Sequence, residues 1–415
     1  MRSILIVGAG QSGLQLGLGL LAEGYDVTIM SARTADEIRH GWPTSTQVMF
    51  EPALSTERRY GLELWESQTP AIAGLRIGLH SQAGGPSLSM TGSLSHPARS
   101  TDQRLKLARW LELAEQRGAH VVYSPATAQD LDQLASRGNY DLTVVAAGRG
   151  DLTAIFERDA SRSPYQVPQR GLAAAYVHGL QPSSDRPEVE LHAIPGLGEL
   201  FVIPALGING PCHILFWEAV PDSPLDRWHA GPSRISPTEH LGLSLDAIKA
   251  HLPSVYERCR YVELADGKAT LRGRFAPTVR RAVAALPGGG HVLGMADVVI
   301  TNDPLTGQGA NNAAKCADHY LRAIVAHGDQ QFDEPWMRQT SDDFWTSHGR
   351  TVTEWTNLML QPPPHVQQVL YAATQYPAIA DRLANGFTDP NDFVEWFMTP
   401  EKAAAYLHSM EVVAG

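Results

Sequence analysis

Three glycines near the start of the chain have the spacing of a phosphate-binding turn. Gly8, Gly10 and Gly13 follow a short apolar run at residues 4–7 and lead directly into a leucine-rich stretch. The first glycine permits a tight turn, the second lets the backbone approach a pyrophosphate, and the third lets a helix lie close to the preceding strand. The N–H groups at the start of that helix then face the phosphates. The pattern predicts a strand, a turn and a helix that bind a nucleotide cofactor.

The end of the second predicted strand leaves the identity of this nucleotide open. Residues 26–30 are typical of a parallel strand, and an acidic residue at the end of such a strand commonly binds the adenosine ribose. The chain has Ser31 and Arg33 there instead. An arginine at this position is compatible with the 2′-phosphate of NADP and equally with a place over the adenine of FAD.

Two later stretches repeat the arrangement of a buried strand that opens into a glycine turn. The first is residues 141–150, with Ala147 and Gly148 at its turn. The second is an apolar strand that ends with Gly294 and Asp297. Both turns are expected to meet the same cofactor as the N-terminal turn.

A second helix start follows the last of these turns and narrows the choice of cofactor. Gly307 and Gly309 clear space in front of a helix predicted to continue through Tyr320. The positive end of a helix dipole suits the O2 and N1 edge of an isoalloxazine, because reduced flavin carries negative charge there. Asp297 is then expected to bind a ribityl hydroxyl. NAD alone needs no such third site, so the three turns together indicate FAD.

The overall composition argues against several other classes of protein. The 415 residues include 33 basic and 44 acidic side chains, and the net charge of −11 gives no footprint for nucleic acid or an anionic membrane. Cys212, Cys259 and Cys316 are too far apart for a disulfide framework or a Cys-x-x-Cys pair, and the histidines lack a metal-binding spacing. No apolar run reaches the ~18 residues that span a bilayer, and glycines interrupt the N-terminal stretch that resembles a secretion signal. We expect a cytoplasmic protein without a bound metal.

The predicted elements divide the chain into three regions of an α/β protein with two domains. Residues 1–150 and 290–330 form a discontinuous Rossmann-like domain that binds FAD. Residues 151–289, with contributions from 39–98, predict an antiparallel sheet that forms the wall of a substrate site. Residues 331–415 predict a helical C-terminal region.

Two element predictions are specific enough to be compared directly with a structure. Ser100 and Gln103 have the spacing of a capping box, which predicts a helix that begins at Ser100 and ends at Gly118. Residues 269–285 have the alternation of strands and predict two pieces of the antiparallel sheet.

Four stretches of the chain together resemble a known group of flavoproteins. They are residues 8–13, 102–105, 294–297 and 303–311, which read Gly-Ala-Gly-Gln-Ser-Gly, Asp-Gln-Arg-Leu, Gly-Met-Ala-Asp and Asp-Pro-Leu-Thr-Gly-Gln-Gly-Ala-Asn. On these motifs nearly the whole chain resembles the FAD monooxygenases of the para-hydroxybenzoate hydroxylase fold, and within them the two-component styrene and indole monooxygenases. Single-component hydroxylases of this fold usually carry Asp-Gly where residues 148–150 read Gly-Arg-Gly. This departure favours the two-component group.

The resemblance implies a cofactor, a chemistry and a partner protein. Oxygenases of this family take reduced FAD from a separate NADH-dependent flavin reductase and use O2 to form a C4a-hydroperoxide, with no general acid or base among the side chains. The resemblance is also compatible with assembly as a homodimer. Arg104 is expected either to contact a flavin phosphate or to be a solvated helix residue. From the glycine turns and the resemblance together, the residues assigned to the cofactor are Gly8, Gly10, Gln11, Ser12, Gly13, Ser31, Arg33, Arg104, Ala147, Gly148, Asp297, Gly307, Gln308, Gly309, Ala310 and Asn311.

In this family, the sequence of the loop after the second strand differs between members that act on styrene and members that act on indole. Styrene-type members have Asn-x-Val-x-His in this loop and indole-type members have Ser-x-Gln-x-Met, which matches Ser45, Gln47 and Met49. Ala98 likewise resembles the indole type, where styrene-type members tend to have serine. The resemblance also places Pro304 next to the reactive edge of the flavin, where it offers backbone rather than acid or base.

These residues imply a small aromatic substrate. The resemblance points to indole, epoxidised at its C2–C3 bond, with styrene-like alkenes and aryl sulfides as further substrates. The indole N–H is expected to donate to an oxygen of Ser45 or Gln47, a hydrogen bond worth ~1 kcal/mol net. The sulfur of Met49 is expected to pack on the ring.

Two alternatives remain open from the sequence. Arg33 and the shared FAD motifs also fit a single-component aromatic hydroxylase that is reduced by NAD(P)H. A non-catalytic flavin-binding redox sensor belongs to a different class, and it fits the absence of any required acid or base.

Overall fold

The computed structural model describes residues 2–81, 88–136, 138–148, 150–229 and 235–414, and their strands form two large sheets and one short pair. In chain order the strands within these residues are β1 (Ser3–Val7), β2 (Asp26–Ser31), β3 (Ile72–Leu79), β4 (Leu88–Ala98), β5 (His120–Tyr123), β6 (Leu142–Val145), β7 (Gly171–His178), β8 (Glu188–Ile194), β9 (Gly198–Gly207), β10 (Gly210–Ala219), β11 (Glu263–Leu264), β12 (Thr270–Gly273), β13 (Thr278–Val279), β14 (Val283–Ala285), β15 (His291–Gly294) and β16 (Ile300–Thr301).

Helices cover both sheets and make up most of the C-terminal quarter of the chain. Within the described ranges they are α1 (Gln11–Ala22), α2 (Ala35–Arg39), α3 (Glu51–Arg59), α4 (Gln103–Gln116), α5 (Ala128–Ser136), α6 (Pro237–His251), α7 (Pro253–Arg258), α8 (Gly309–His327), α9 (Glu334–Phe344), α10 (Arg350–Leu360), α11 (Pro364–Ala373), α12 (Pro377–Gly386), α13 (Phe393–Trp396) and α14 (Pro400–Ala414). A π-helical turn, Trp345–Gly349, joins α9 to α10.

The first sheet has the strand order β14-β15-β6-β1-β2-β5 and is parallel except for β14. Its central strands are continuous apolar runs because helices cover both faces. Ile4 and Ile6 of β1 face a core shared with α1, α4 and α8, whereas Leu5 and Val7 face a second core shared with α5. This α/β arrangement confirms the Rossmann-like domain, including the predicted strands at 26–30 and 142–146.

Small residues allow α1 to pack closely on β2 and α8. A Cβ added to Gly19 would lie 2.4 Å from Cδ2 of Leu321 on α8, and one added to Gly17 would lie 3.0 Å from Cδ1 of Ile29 on β2. The leucine-rich stretch therefore does more than fill a core, since its glycines set the distance between α1 and its neighbours.

The second sheet has the order β11-β7-β10-β9-β8-β3-β4, with β12 also paired to β7. Its pairs are antiparallel except that β3 runs parallel to β8. Trp217 of β10 faces a core formed with α6 and α7, and the neighbouring Phe216 faces a separate core that includes the loop at residues 45–50. This sheet confirms the antiparallel sheet predicted within residues 151–289, to which residues 39–98 contribute β3 and β4.

Two of the element predictions were wrong in detail. Residues 269–285 do not all join the second sheet: β12 does, but β13 pairs with β16 and β14 forms the edge of the first sheet. The helix predicted from Ser100 begins at Gln103, because Asp102 caps it by accepting a hydrogen bond from the Arg104 N–H. Ser100 instead lies in the extended segment beside β9.

The C-terminal helices pack on one another and on the edge of the second sheet. Trp355, Phe393 and Trp396 lie in their shared core, and α12 covers β4, where a Cβ on Gly92 would lie 2.0 Å from the main-chain oxygen of Ala380. These tryptophans therefore serve packing. In the part of the chain that the structure describes, no helix combines the length and the apolar character needed to cross a membrane.

Candidate functional site

The three glycine turns meet at one edge of the first sheet. A Cβ added to Gly13 would lie 2.0 Å from the main-chain oxygen of Gly8, and one added to Gly8 would lie 2.8 Å from the main-chain nitrogen of Ala147. A Cβ on Gly148 would lie 2.6 Å from the Cβ of Asp297. No side chain fits at these glycines, so the chain after β1, β6 and β15 approaches as closely as backbone allows. Arg149, between Gly148 and the next turn, lies outside the described residues.

The other side of the same turns is open. A Cβ on Gly10, Gly307 or Gly309 would meet no heavy atom within 4 Å, and Gly307 has the left-handed φ of 62° that favours glycine. Within the described residues, no side chain caps the first turn of α1 or α8, so their N–H groups are left for a bound group. Two uncapped helix starts beside glycine-lined space fit FAD, whose pyrophosphate and reduced ring carry negative charge.

The end of β2 forms a closed turn. The Ser31 hydroxyl donates to the main-chain oxygen of Arg33 (2.6 Å) and is approached by the Arg33 N–H (3.3 Å). Ser31 is buried, so its side chain holds the turn, whereas the Arg33 side chain is exposed, near Gly41. Of the two residues predicted here, Arg33 is the one whose side chain faces outward.

Gln11 and Ser12 begin α1 and are both buried. The Gln11 amide nitrogen lies 3.1 Å from oxygens of Gln15 and Glu57, and Glu57 also pairs with the ammonium group of Lys106. The Gln11 side chain therefore faces the protein, which leaves the main-chain N–H groups of this turn for a phosphate. The buried Glu57–Lys106 pair beneath the turn was not foreseen from the sequence, because its partners are 49 residues apart.

Arg104 matches neither of its two predicted roles. Its Nη2 lies 2.7 Å from oxygens of both Asp102 and Asp266, Nη1 lies 3.1 Å from Asp266, and Nε lies 3.1 Å from Asp102. Burial alone would lower the pKa of Arg104, but the hydrogen bonds to Asp266 and Asp102 raise it. Nη1 also reaches the main-chain oxygen of Gly41 at 3.4 Å. These contacts occupy the five N–H donors of the guanidinium, so we correct the assignment: Arg104 is a buried cation between two carboxylates.

Two predicted cofactor side chains at the start of α8 also point into the protein. The amide oxygen of Asn311 accepts from the N–H of Phe50 (2.9 Å), and its amide nitrogen donates to the main-chain oxygen of Val48 (2.7 Å). The amide nitrogen of Gln308 donates to the main-chain oxygen of Phe387 (2.9 Å) on the C-terminal helices. Their side chains hold neighbouring segments in place, so any contact with the cofactor must come from their main-chain atoms.

The loop at residues 45–50 sends successive side chains in different directions. Val48 and Phe50 join the core against the second sheet, whereas Met49 packs with Leu54 and Ala310 between α3 and α8. Met49 is only 1% exposed. The structure therefore places Val48, which the sequence analysis did not select, on the sheet side of the loop.

The polar groups of this loop have local partners. The Gln47 amide nitrogen donates to the main-chain oxygen of Thr101 (2.8 Å), and its oxygen lies 3.5 Å from the amide nitrogen of Gln103. The Ser45 hydroxyl donates to the main-chain oxygen of Thr46 (3.0 Å), and the main-chain oxygen of Ser45 accepts from the hydroxyl of Tyr176 (3.5 Å). Gln47 is held by hydrogen bonds at both ends of its amide, whereas the half-buried Ser45 hydroxyl bonds, within the part of the chain that the structure describes, to Thr46 alone.

An apolar cluster fills the space between this loop and the second sheet. Ala98 is fully buried within this cluster. Leu305 also belongs to it, and it follows the half-buried Pro304 in a short 3-10 turn. The cluster thus places Ala98, and through Leu305 the Pro304 turn, beside side chains that the sequence did not single out, among them Val48, Phe50, Phe201, Ile203 and Phe216.

Comparison with known proteins agrees with this arrangement. Residues 148–258 match the family described as "Styrene monooxygenase A putative substrate binding domain". Styrene monooxygenase StyA of Pseudomonas fluorescens is 31% identical over 412 residues, which cover 97% of this chain and 96% of that protein. The chain belongs to the styrene monooxygenase family. StyA of a Pseudomonas species gives the same identity over 411 residues. Membership in this family makes the protein a flavin-dependent monooxygenase, and FAD the cofactor that the glycine-lined cleft fits.

Solved structures of other flavoproteins share the fold. A flavoprotein/dehydrogenase from Cytophaga hutchinsonii has a TM-score of 0.67 at 14% identity and covers 99% of both chains. The flavin-dependent brominase Bmp2 has a TM-score of 0.64 at 12% identity, covering 92% of this chain and 97% of its own. 2-Methyl-3-hydroxypyridine-5-carboxylic acid oxygenase has a TM-score of 0.59 at 16% identity. At these identities the likeness concerns the fold alone, and it confirms the α/β two-domain flavoprotein architecture.

Asn311 offers a direct test of how this monooxygenase holds its loop. Asn311→Leu is expected to lower the free energy of unfolding by about 2 kcal/mol, because the Phe50 N–H and the Val48 carbonyl both lose a buried partner. Denaturation in urea measures the change. Arg322→Gln, on the exposed face of the same helix, serves as the control and is expected to change little. Equal stabilities of the two variants would show that the Asn311 bonds contribute nothing measurable.

Proposed function

We propose that this protein is an indole-type oxygenase that epoxidises the C2–C3 bond of indole, and that its reduced FAD comes from a separate NADH-dependent flavin reductase. One observation carries the substrate: the Ser-x-Gln-x-Met sequence of residues 45–49 occurs in the loop that Asn311 ties to the start of α8. The same helix start is where the cleft is open and glycine-lined, at Gly307 and Gly309. The loop therefore lies beside the proposed place of the reactive ring.

In this proposal the protein holds FAD through main-chain groups more than through side chains. Gly10 and Ser12 at the start of α1 face the pyrophosphate, Arg33 lies at the adenosine end, and Asp297 binds the ribityl chain. The start of α8 faces the isoalloxazine. Reduced FAD supplies an electrophilic oxygen donor from O2, and this requires no acid or base from the protein.

The protein's part in catalysis is then to orient the substrate and to exclude water. The apolar cluster around Val48, Phe50 and Leu305 provides a dry surface for a flat aromatic ring. Ser45 is the loop residue best suited to accept the indole N–H, because the amide oxygen of Gln47 is already approached by the amide nitrogen of Gln103 at 3.5 Å. Pro304 presents main chain next to the reacting edge.

A competition assay with reduced flavin tests this proposal. The purified protein, a flavin reductase, NADH and equal amounts of indole and styrene are combined, and indoxyl-derived indigo and styrene oxide are measured. Indigo as the main product supports the indole assignment, whereas efficient formation of styrene oxide without indoxyl would overturn it. Reduction of bound FAD by NADPH without any reductase would support a single-component hydroxylase instead.

Styrene epoxidation is the second candidate function. It is favoured by the name and the 31% identity of the StyA relatives across nearly the full chain. The same competition assay distinguishes the two, because both substrates meet the same cofactor under the same conditions.

Exchange of the loop motif is expected to move the preference toward styrene. In the triple variant Ser45→Asn, Gln47→Val and Met49→His, a bulkier amide replaces the hydroxyl proposed to accept the indole N–H, so the ratio of indole to styrene turnover should fall by up to about tenfold, equivalent to ~1.4 kcal/mol. Product ratios in the competition assay measure the shift, and FAD affinity serves as the control for an intact cleft. An unchanged ratio would show that this loop does not set specificity.

A further inference from the structure

A buried carboxyl group lies behind the Pro304 turn. Glu218 of β10 is fully buried, and neither of its carboxylate oxygens has a hydrogen-bond donor among the described residues. Its neighbour is the carboxyl group of Asp303, the residue that precedes Pro304 and is itself only 3% exposed. An ionised carboxylate without a donor is expensive to bury, so this contact needs an explanation.

The charges around this pair do not balance if every acid is ionised. Among the described residues, Arg170 is the arginine that interacts with them, and it directs Nε and Nη2 at the two oxygens of Glu199 (2.8 and 2.9 Å). Its Nη1 donates to the main chain. Three carboxyl groups, Glu199, Glu218 and Asp303, would then share one arginine and leave a net charge of −2 in the protein interior.

A proton between the two acids removes the difficulty. When Glu218 is protonated, its O–H donates to the carboxylate of Asp303, which also accepts from the Leu305 N–H at 3.2 Å. Burial raises the pKa of Glu218 well above its ordinary value, and the charges of Asp303 and Glu199 raise it further. Burial also raises the pKa of Asp303, to about 6.

We propose that Glu218 and Asp303 share one proton in a carboxylic acid–carboxylate hydrogen bond, and that this bond positions the Pro304 turn against the second sheet. Glu218 belongs to the rigid substrate-domain strand β10, whereas Asp303 caps the turn that carries Pro304 and leads to Gly307. The bond therefore ties the proposed reacting edge of the flavin site to the wall of the substrate site. Glu218 is a positioning residue and touches neither substrate nor cofactor in this account.

The bond is expected to break as the pH rises. An acid whose pKa is raised in the folded protein stabilises the fold below its ordinary pKa, and this stabilisation is lost as the pH rises through the folded value. Once Glu218 also ionises, two adjacent carboxylates repel, and the nearby Glu199 adds to the repulsion. Arg170 opposes it, and Tyr165 beside Asp303 has a raised pKa of its own and stays neutral. The turn should therefore leave the sheet at alkaline pH.

Infrared spectroscopy of the purified protein tests the shared proton without substrate or turnover. At neutral pH the wild type is expected to show the carbonyl band of a buried carboxylic acid, which shifts in D2O. Glu218→Gln should lose this band, whereas Glu263→Gln, which changes an exposed carboxylate on the edge of the same sheet, should keep it. Absence of the band from the wild type, or its persistence in Glu218→Gln, would overturn the proposal.

The positioning role is tested by the pH dependence of unfolding and of FAD binding. The amide of Glu218→Gln donates to Asp303 at every pH, so the variant should lose the alkaline decline in midpoint temperature and FAD affinity that the wild type shows. Parallel declines in the two proteins would overturn the positioning role.

Turnover of indole by Glu218→Gln is a third measurement, separate from the infrared and unfolding experiments. The effect on turnover rests on the proposed function, but the infrared and unfolding measurements do not. A shared proton in a protein that fails to oxidise indole would refute the indole assignment alone.

Discussion

Gly13→Ala is expected to abolish FAD binding. The added Cβ would lie 2.0 Å from the main-chain oxygen of Gly8 and 3.2 Å from the Cβ of Ala146, and neither of these atoms belongs to a flexible side chain. The start of α1 must therefore move away from β1, which misdirects the N–H groups that face the pyrophosphate. We expect FAD affinity to fall by more than about 100-fold, equivalent to ~3 kcal/mol.

Fluorescence titration with FAD measures this loss, and two further variants make it specific. Gly242→Ala, in α6, adds a Cβ that meets nothing within 4 Å and is expected to leave FAD binding unchanged. Gly10→Ala also meets no protein atom, so it should fold normally and yet weaken FAD binding by filling the space in front of α1. Normal affinity in both Gly13→Ala and Gly10→Ala would show that this turn does not bind the cofactor.

The glycine turns could be read from the sequence because their role depends on backbone. The missing side chain at Gly8, Gly13 or Gly148 lets another segment of the chain approach the backbone closely, and this does not depend on how the rest of the chain folds. The sheet order β15-β6-β1 then brings the three turns to one edge without further information. The Rossmann-like domain and the mainly antiparallel second sheet were also predicted correctly.

Polar side chains were harder to assign, because a motif does not state which way a side chain points. Asn311 and Gln308 belong to the segment that begins α8, but their partners are 261 and 79 residues away in sequence. Met49 was predicted to face the substrate, which stays a prediction; the structure places Met49 between α3 and α8 and Val48 in the core against the second sheet. In a loop without regular alternation, only the packed structure determines which neighbour faces the core.

Buried charge was the least predictable feature of the site. Glu218 occupies a strand in which alternate residues normally face solvent, but here both faces of the sheet are covered, one by α6 and α7 and the other by the loop at residues 45–50. A glutamate in an alternating strand is usually a solvated residue. Its burial against Asp303 depends on a turn 85 residues later in the chain, for which strand periodicity gives no signal.

The second large effect is a loss of stability, expected when the buried Arg104 is replaced. Arg104→Leu is expected to lower the free energy of unfolding by roughly 3–5 kcal/mol, because the buried Asp102 and the half-buried Asp266 would both lose the guanidinium that pairs with them. Denaturation in urea at neutral pH measures this loss. Arg104→Lys keeps the positive charge but loses the planar fork that reaches both carboxylates, so it should lie between the wild type and the leucine variant.

The pH dependence of this difference follows from the carboxylates. Burial alone would raise the pKa of Asp266, but its hydrogen bonds with Arg104 hold the pKa below the ordinary 3.8. A lowered pKa stabilises the fold above the ordinary value, and this stabilisation is lost as the pH falls through the folded value. The gap between wild type and Arg104→Leu should therefore narrow in acid. A direct contact with a flavin phosphate would give the opposite pattern, in which FAD affinity falls while the stability of the protein without FAD hardly changes.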